Sequence, residues 1–249
     1  MQNPFVWHDL MTPDVEGAKK FYGDIVGWTF AHQPPEYTVL MVGDAGIGGI
    51  LPTPEHLKGM PPFWSGYVYT PDVDAVCNHV KKLGGTVHRE PWDIPGVIRM
   101  AVNADSTGAG LNIMQPLSPE ERKPVKDGAI GTVGWNELYT GDVNQAWNFY
   151  SSLFGWTKGT AMDMGPMGTY QLFQIDGKDV GGMMKKMDSM PMAAWGYYFN
   201  VEGIDAAATR VTKAGGKIAN GPMEVPGGQW VVTAQDPQGA FFSLVSATK

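Results

Sequence analysis

A histidine and an aspartate stand side by side near the start of the chain, in the segment FVWHDLMTPD at residues 5–14. His8 and Asp9 could bind a metal, because imidazole and carboxylate groups are common ligands of divalent ions. They could also transfer protons, because both groups act as acids and bases in enzymes. Which residue could do chemistry depends on the face of the local element that each side chain occupies.

The pattern around this pair is typical of a strand followed by a helix. Asp14 is a favourable helix N-cap, and Gly27 fits a helix stop. Between them, apolar residues recur at helical spacing: Val15, Ala18, Phe21, Tyr22 and Ile25. Neighbouring side chains of a strand point to opposite faces. Trp7 and Asp9 are therefore predicted to share one face, and His8 the other.

The whole segment occurs twice in the chain. FVWHDLMTPDVEGAKKFYGDIVGW at 5–28 aligns with VGWNELYTGDVNQAWNFYSSLFGW at 133–156, and ten of the 24 positions are identical. Downstream segments align as well, including DIPGVIRMAVNADSTGAGLNIM at 93–114 with EVPGGQWVVTAQDPQGAFFSLV at 224–245. A fixed internal repeat indicates a duplicated structural unit.

The order of elements is also the same in each copy. A strand, a helix and three strands are predicted twice per copy, so a βαβββ module occurs four times along the chain. Few, widely spaced helices favour the α+β class over a doubly wound sheet. We predict an N-terminal domain at 1–116, a charged, Pro/Gly-punctuated linker at 117–131 and a C-terminal domain at 132–249.

The frame W-x-[DE]-L-x-T-x-D-x3-A-x2-FY-x4-GW, followed by paired βαβββ units, resembles the vicinal oxygen chelate superfamily. This group contains glyoxalase I, extradiol dioxygenases and bleomycin-resistance proteins, and the resemblance is closest to its two-domain, glyoxalase-like bacterial members. The resemblance implies tandem domains whose four βαβββ modules form two curved-sheet cups with a ligand site inside each. It does not imply one reaction, because the fold hosts several chemistries.

The resemblance also implies where metal ligands would stand. The first lies seven residues before the Asp that starts the first helix of each copy. Counted in this way, the inferred ligand positions are Trp7, Ser65 and Asn112 in the first copy, and Trp135, Gly196 and Ser243 in the second. None is a strong ligand, and Asn112 would be a weak one. We therefore predict no metal and no other cofactor.

An acid stands at the same place in both copies. If Trp7 and Trp135 face the cups, strand alternation places Asp9 and Glu137 there too. A carboxyl in an apolar cup would have a raised pKa and could act as a base or hydrogen-bond acceptor. The alternative is a structural role, in which the acid pairs with a backbone group or an arginine and stabilises the sheet.

Other residues are expected to line the cups. Tyr67 and Tyr69 correspond to Tyr198 and Asn200, and they could orient a ligand or fill the core. Arg99, which corresponds to Trp230, could bind a carboxylate and so favour an anionic ligand in the N-terminal cup, or it could pair with a neighbouring acid. The predicted ligand-binding residues are Trp7, Tyr67, Tyr69, Arg99, Asn112, Trp135, Tyr198, Asn200, Trp230 and Ser243.

Composition restricts the class of partner. The 249 residues include 18 Lys and Arg and 25 Asp and Glu, so the formal net charge is −7. This charge argues against non-specific binding to nucleic acid or to an anionic membrane. The sequence shows no signal-peptide pattern and no apolar run near the roughly 20 residues that span a bilayer. We expect a cytoplasmic protein with a small-molecule ligand, and the sequence leaves a homodimer open.

Three functional hypotheses follow. The leading one is a glyoxalase-like protein that has lost its metal ligands and binds a small organic molecule in a cup-shaped pocket. The second is a metal-independent lyase or isomerase with Asp9 or Glu137 as the acid–base group. In the third, one domain serves only as a scaffold for the other. A metal-dependent glyoxalase or dioxygenase is disfavoured, because no inferred ligand position carries a strong ligand.

Overall fold

The computed structural model describes residues 3–118 and 123–249 of the chain. Residues 119–122 of the predicted linker, and residues 1 and 2 of the predicted N-terminal domain, lie outside this range. The described residues form sixteen strands and four α-helices, ordered as four successive βαβββ modules. The predictions of the α+β class and of the fourfold module are confirmed.

The elements of the first two modules are β1 (Phe5–Thr12), α1 (Val15–Val26), β2 (Thr29–Gln33), β3 (Tyr37–Val42), β4 (Ala45–Pro52), β5 (Phe63–Tyr69), α2 (Val73–Lys82), β6 (Thr86–Ile94), β7 (Ile98–Ala104) and β8 (Gly110–Pro116). Those of the last two are β9 (Val133–Thr140), α3 (Val143–Phe154), β10 (Thr157–Asp163), β11 (Thr169–Ile175), β12 (Lys178–Lys185), β13 (Ala194–Asn200), α4 (Ile204–Lys213), β14 (Lys217–Val225), β15 (Gln229–Gln235) and β16 (Phe241–Ser246). None of the helices in the described ranges has the length and hydropathy needed to cross a membrane.

Each copy forms one eight-stranded mixed sheet. The strand orders are β2-β3-β4-β1-β5-β8-β7-β6 and β10-β11-β12-β9-β13-β16-β15-β14. Within every module the first strand pairs in parallel with the last strand. The other strands of each module pair antiparallel. The identical order in the two sheets matches the duplication seen in the sequence.

Packing divides the chain into two compact units that do not follow the two copies. Among the described residues, one unit comprises 3–6, 65–118 and Asn136–Trp195, and it therefore holds most of the second and third modules. The other comprises Trp7–Trp64, 123–135 and Gly196–Lys249, which hold most of the first and fourth modules. Tertiary contacts thus group modules of different copies, whereas the predicted domain boundaries group modules that are consecutive in the chain.

The first helix of each copy starts and ends as its sequence predicts. The Asp14 carboxylate accepts a hydrogen bond from the backbone N–H of Gly17 at 2.9 Å, and Asp142 caps α3 in the same way. Both helices end at a glycine with positive φ, 85° at Gly27 and 68° at Gly155. Glycine favours this left-handed conformation because it has no Cβ.

An aromatic stack lies in the third module, within the unit that also holds the second module. The Trp156 ring lies nearly parallel to Tyr150, with centroids 5.2 Å apart, and to Phe173, with centroids 4.6 Å apart. Its indole N–H donates to the backbone carbonyl of Asn3 at 2.9 Å. The Trp195 indole N–H donates to the Tyr150 hydroxyl. All four aromatic side chains are buried.

A buried acid holds together the unit formed by the first and fourth modules. Asp236 Oδ1 accepts from the backbone N–H groups of the turn at 238–240, and Oδ2 accepts from the Tyr22 hydroxyl at 3.0 Å. The Trp64 indole N–H donates in turn to the Tyr22 hydroxyl. Burial raises the pKa of the Asp236 carboxyl, although these hydrogen bonds oppose the shift. Burial also raises the pKa of Tyr22, and the charge of Asp236 adds to that effect.

Replacing Asp236 with asparagine is expected to change how stability depends on pH. The folded state holds the Asp236 proton more tightly than the unfolded chain does. The contribution of this residue to the free energy of unfolding therefore falls as the pH rises from about 4, the ordinary carboxyl pKa, through the raised pKa of the folded state. The free energy of unfolding of the wild type minus that of Asp236→Asn should decline over this window. A difference that stays constant between acidic and neutral pH would contradict the prediction.

Candidate functional site

The strongest cluster of predicted site residues lies at the N-terminal strand and includes a tyrosine that the sequence did not single out. Asp9 Oδ1 accepts from the Trp7 indole N–H at 2.9 Å and from the Tyr37 hydroxyl at 2.6 Å. The same indole N–H lies 2.7 Å from the Tyr37 oxygen. Asp9 is only 5% exposed, whereas both rings are half-buried. We call these three residues the Asp9 cluster.

Backbone geometry explains how the Asp9 cluster forms. Asp9 on β1 is paired with Gly49 on β4, and β3 lies on the other side of β4. A Cβ at Gly49 would overlap the Tyr37 phenol, and one at Gly46 would lie 3.3 Å from the Trp7 ring. Because these two positions have no side chain, the tyrosine can reach across β4 to the carboxylate on β1.

His8 occupies the opposite face of β1. It is buried, and its ring packs edge-on against Tyr197 with centroids 4.7 Å apart. Trp7 and Asp9 are joined by their side-chain hydrogen bond and so share the other face. Strand alternation predicts this arrangement of side chains, while the roles of Trp7 and Asp9 in binding stay predictions.

The second copy repeats the relation between acid, glycine and tyrosine. Glu137 on β9 is paired with Gly182 on β12, and it is 6% exposed. A Cβ at Gly182 would overlap the phenol of Tyr170, which lies on β11. Trp135 precedes Glu137 by two residues on β9 and is half-buried. The four residues correspond in order to Asp9, Gly49, Tyr37 and Trp7.

Two inferred ligand positions of the first copy contact each other. The Asn112 side-chain amide donates to the Ser65 hydroxyl at 2.7 Å, and Asn112 is buried. Tyr67 is the register partner of Asn112 and is also buried. Tyr69 is half-buried, and its backbone bonds to Asn3 and Pro4. Asn112 and Tyr67 thus lie next to each other in one unit.

The corresponding residues of the second copy also make hydrogen bonds. The Ser243 hydroxyl lies 3.0 Å from the hydroxyl of Thr233, and Ser243 is the register partner of the buried Tyr198. The Asn200 amide donates to the Thr132 hydroxyl at 3.0 Å. Trp230 makes a cation–π contact with Lys249, whose ammonium lies 4.9 Å from the ring centroid.

Arg99 does not present a free guanidinium to an anionic ligand. Its Nε and Nη2 donate to Asp74 at 2.7 and 2.9 Å, and its Nη1 donates to Asp93 at 2.6 Å. These bonds raise the pKa of Arg99, and they lower the pKa of Asp74. Two carboxylates already outweigh the single positive charge. In the structure Arg99 thus pairs with neighbouring acids, which is the alternative raised by the sequence, and its binding of an anionic ligand stays a prediction.

The groups at the inferred ligand positions do not fit a divalent metal. The indole N–H of Trp7 is a donor only, and the Asn112 amide and Ser243 hydroxyl are neutral groups already bonded within the protein. Zinc, iron and nickel favour imidazole, thiolate and carboxylate ligands. No group of three His, Cys, Asp or Glu residues suited to a metal occurs in the part of the chain that the structure describes.

The sequence reasoning missed Tyr37 and Tyr170, together with the glycines that accommodate them. A usable signal was present, because the glycine pairs of GIGGI and VGGMM stand at the same place in the two copies. The first glycine of each pair, Gly48 or Gly181, lies against the backbone carbonyl of His8 or Asn136, and the second faces a tyrosine. Aligning the copies through these strands would have pointed to both tyrosines.

Comparison with known proteins gives a consistent result over most of the chain. Residues 4–113 and 130–244 match the family model for the Glyoxalase/Bleomycin resistance protein/Dioxygenase superfamily. A Mycobacterium bovis protein named "Putative glyoxylase CFP32" is 33% identical over 246 residues, which cover 96% of this chain and 93% of that protein. "Anthracycline biosynthesis protein DauV" of Streptomyces sp. strain C5 is 32% identical over 271 residues, covering 96% and 91%.

Solved structures share the fold at low sequence identity. The Mn(II)-bound glyoxalase from Novosphingobium aromaticivorans aligns with a TM-score of 0.69 at 14% identity, over 100% of this chain and 82% of that one. The 2,2',3-trihydroxybiphenyl 1,2-dioxygenase from Sphingomonas wittichii gives 0.72 at 12% identity, over 99% and 91%. These structures show a shared fold, and the family-model match together with the relatives of 33% and 32% identity shows that the chain belongs to the Glyoxalase/Bleomycin resistance protein/Dioxygenase superfamily.

Proposed function

We propose that this chain binds a small organic molecule at the face of β1 that carries the Asp9 cluster, and that it does so without a metal ion. The observation that carries the proposal is the hydrogen-bonded triangle of Trp7, Asp9 and Tyr37, in which two half-buried rings bond to one oxygen of a buried carboxylate. An indole stands where the family pattern would place the first metal ligand, and the groups at the other positions do not fit a metal either.

The names of the relatives support binding of a small molecule without indicating one reaction. One relative is called a glyoxylase and another an anthracycline biosynthesis protein, although each covers nearly the whole chain at about the same identity. The site therefore decides the function within this family. The proposal includes the cytoplasmic location and the small-molecule partner expected from the sequence, and light scattering would establish whether the protein forms a homodimer.

The test is a thermal-shift screen of a chemically mixed fragment library, performed with and without a metal chelator. A ligand that binds only the folded state raises the melting temperature. We expect at least one fragment to stabilise the protein equally in both conditions, and we expect the shift to be lost in Trp7→Ala. Stabilisation that disappears with chelator, or stoichiometric zinc, nickel or iron in the purified protein, would overturn the metal-free proposal.

A second candidate function is a metal-independent lyase or isomerase, in which Asp9 or Glu137 moves a proton. The burial of both acids favours it, as does the 2.6 Å hydrogen bond between Asp9 and Tyr37, which could relay a proton. Asp9→Asn and Glu137→Gln keep the size of the side chain and remove its basicity. Once a substrate is identified, the two replacements together should abolish turnover. Full rates in that double variant would rule out this mechanism.

A further inference from the structure

Within the Asp9 cluster, the protein itself uses the hydrogen-bond donors of both rings. The Trp7 indole has one N–H, and it points at Asp9 Oδ1 and the Tyr37 oxygen. The Tyr37 hydroxyl has one hydrogen, which it donates to the same carboxylate oxygen. Neither group has a second hydrogen to donate. A ligand at this surface therefore meets aromatic carbon rather than polar donors.

The two rings are also held in fixed positions. The carboxylate joins them at their polar ends, while Gly46 and Gly49 leave room for them along β4. Each ring has only two side-chain torsions, so little conformational entropy remains to be lost when a ligand binds. Rigid aromatic side chains of this kind serve as anchors in binding sites.

From these observations, and resting on the proposed function, we infer that the ligand is an aromatic compound without negative charge, held mainly by ring contacts with Trp7 and Tyr37. A small carbonyl compound or an oxoanion would need N–H groups, O–H groups or cations directed at its oxygens. This cluster offers a carboxylate and two ring surfaces, and the chain has a net charge of −7. Aromatic rings pack favourably in offset or edge-to-face geometry, which gives such a site its specificity.

Tyr37 is assigned here as a ligand-contacting residue, and Gly49 as the residue that determines its position. A methyl group at Gly49 would overlap the Tyr37 phenol, which is the far end of a flexible side chain and can swing away. Gly49→Ala should therefore break the bond to Asp9 and displace the ring while the protein stays folded. The change alters the binding surface without removing any atom of the three cluster residues.

The inference can be tested with 2-naphthol and decahydro-2-naphthol, which share a carbon skeleton and a hydroxyl but differ in aromaticity. Isothermal titration calorimetry on the full chain should show that 2-naphthol binds at least about tenfold more tightly. Tyr37→Ala and Gly49→Ala should each weaken 2-naphthol binding by roughly tenfold. Trp92→Ala, which removes a half-buried aromatic stacked on Arg89 elsewhere in the chain, should leave the affinity unchanged.

Three results would overturn the inference: equal affinity for the two alcohols, no 2-naphthol binding up to its solubility limit, or unchanged binding in both site variants. Circular dichroism checks that each variant is folded. If Tyr37→Ala does not fold, Gly49→Ala alone serves as the test. The proposed function fails separately, when no fragment of any class stabilises the protein. If a fragment binds in the presence of chelator and 2-naphthol does not, the aromatic assignment alone is wrong.

Discussion

Replacing Trp156 with alanine is expected to lower the free energy of unfolding by about 4 kcal/mol. Trp156 is 2% exposed and is stacked between Tyr150 and Phe173, at centroid distances of 5.2 and 4.6 Å. Alanine would leave a cavity between two rings that cannot collapse onto each other, since each is held by its own strand or helix. It would also leave the Asn3 carbonyl without its indole donor.

Urea unfolding followed by circular dichroism measures this loss, and two further variants separate its causes. Trp156→Phe keeps an aromatic ring but removes the N–H donor, so it should cost about 1–3 kcal/mol. Trp147→Ala is the matched control on α3, because Trp147 is half-buried and its ring lies 5.4 Å from the Lys158 ammonium. We expect a loss below about 1 kcal/mol there. Equal losses for Trp147→Ala and Trp156→Ala would contradict the role assigned to the stack.

The second large effect is expected at the first glycine of each glycine pair. In Gly48→Ala and Gly181→Ala the new methyl group would overlap a backbone carbonyl oxygen, that of His8 or of Asn136. Because the carbonyl belongs to the adjacent parallel strand, relief requires the strands to separate and not merely a side chain to rotate. We expect each replacement to cost about 3 kcal/mol in the free energy of unfolding, at the upper end of overpacking effects.

Thermal and urea unfolding of both variants measure this cost. Gly110→Ala is the control, since it lies at the start of β8 and a Cβ there would have nothing within 4 Å. It should change stability by no more than about 0.5 kcal/mol. Gly49→Ala should fall between the two, because its added methyl meets a movable tyrosine. If Gly48→Ala were as stable as Gly110→Ala, the close approach of β4 to β1 would not be a constraint on the sequence.

Local sequence signals predicted most of the fold. The Asp14 and Asp142 caps and the glycines at 27 and 155 determine where two helices begin and end, because these interactions involve residues only a few positions apart. The duplication then extended each assignment to the other copy. Grouping of the modules into compact units was not predictable in this way, because it depends on contacts such as Tyr22 with Asp236, which are 214 residues apart.

In the candidate site, too, one part follows from local signals and another depends on contacts between distant residues. Strand alternation placed Trp7 and Asp9 on one face and His8 on the other, since alternation is a property of the strand itself. Tyr37 was missed because it reaches Asp9 across a third strand, and only the absence of a side chain at Gly49 makes that contact feasible. The sequence left Arg99 with two alternatives, an anionic ligand or a neighbouring acid. It did not identify Asp74 and Asp93 as partners, because they lie on other elements at separations that carry no periodic signal.

By itself, the sequence determined that this protein is a duplicated chain of four βαβββ modules, that no strong metal ligand stands at the positions inferred from its family, and that an acid stands at one place in both copies. The duplication and the repeated acid follow from comparing the two copies along the chain, and the positions of the metal ligands follow from the resemblance to the family. The tertiary structure alone decided what the acid touches, which tyrosine completes the cluster, and why two adjacent glycines are needed on β4. Such contacts join distant segments, so their energies depend on packing between strands that no local pattern records.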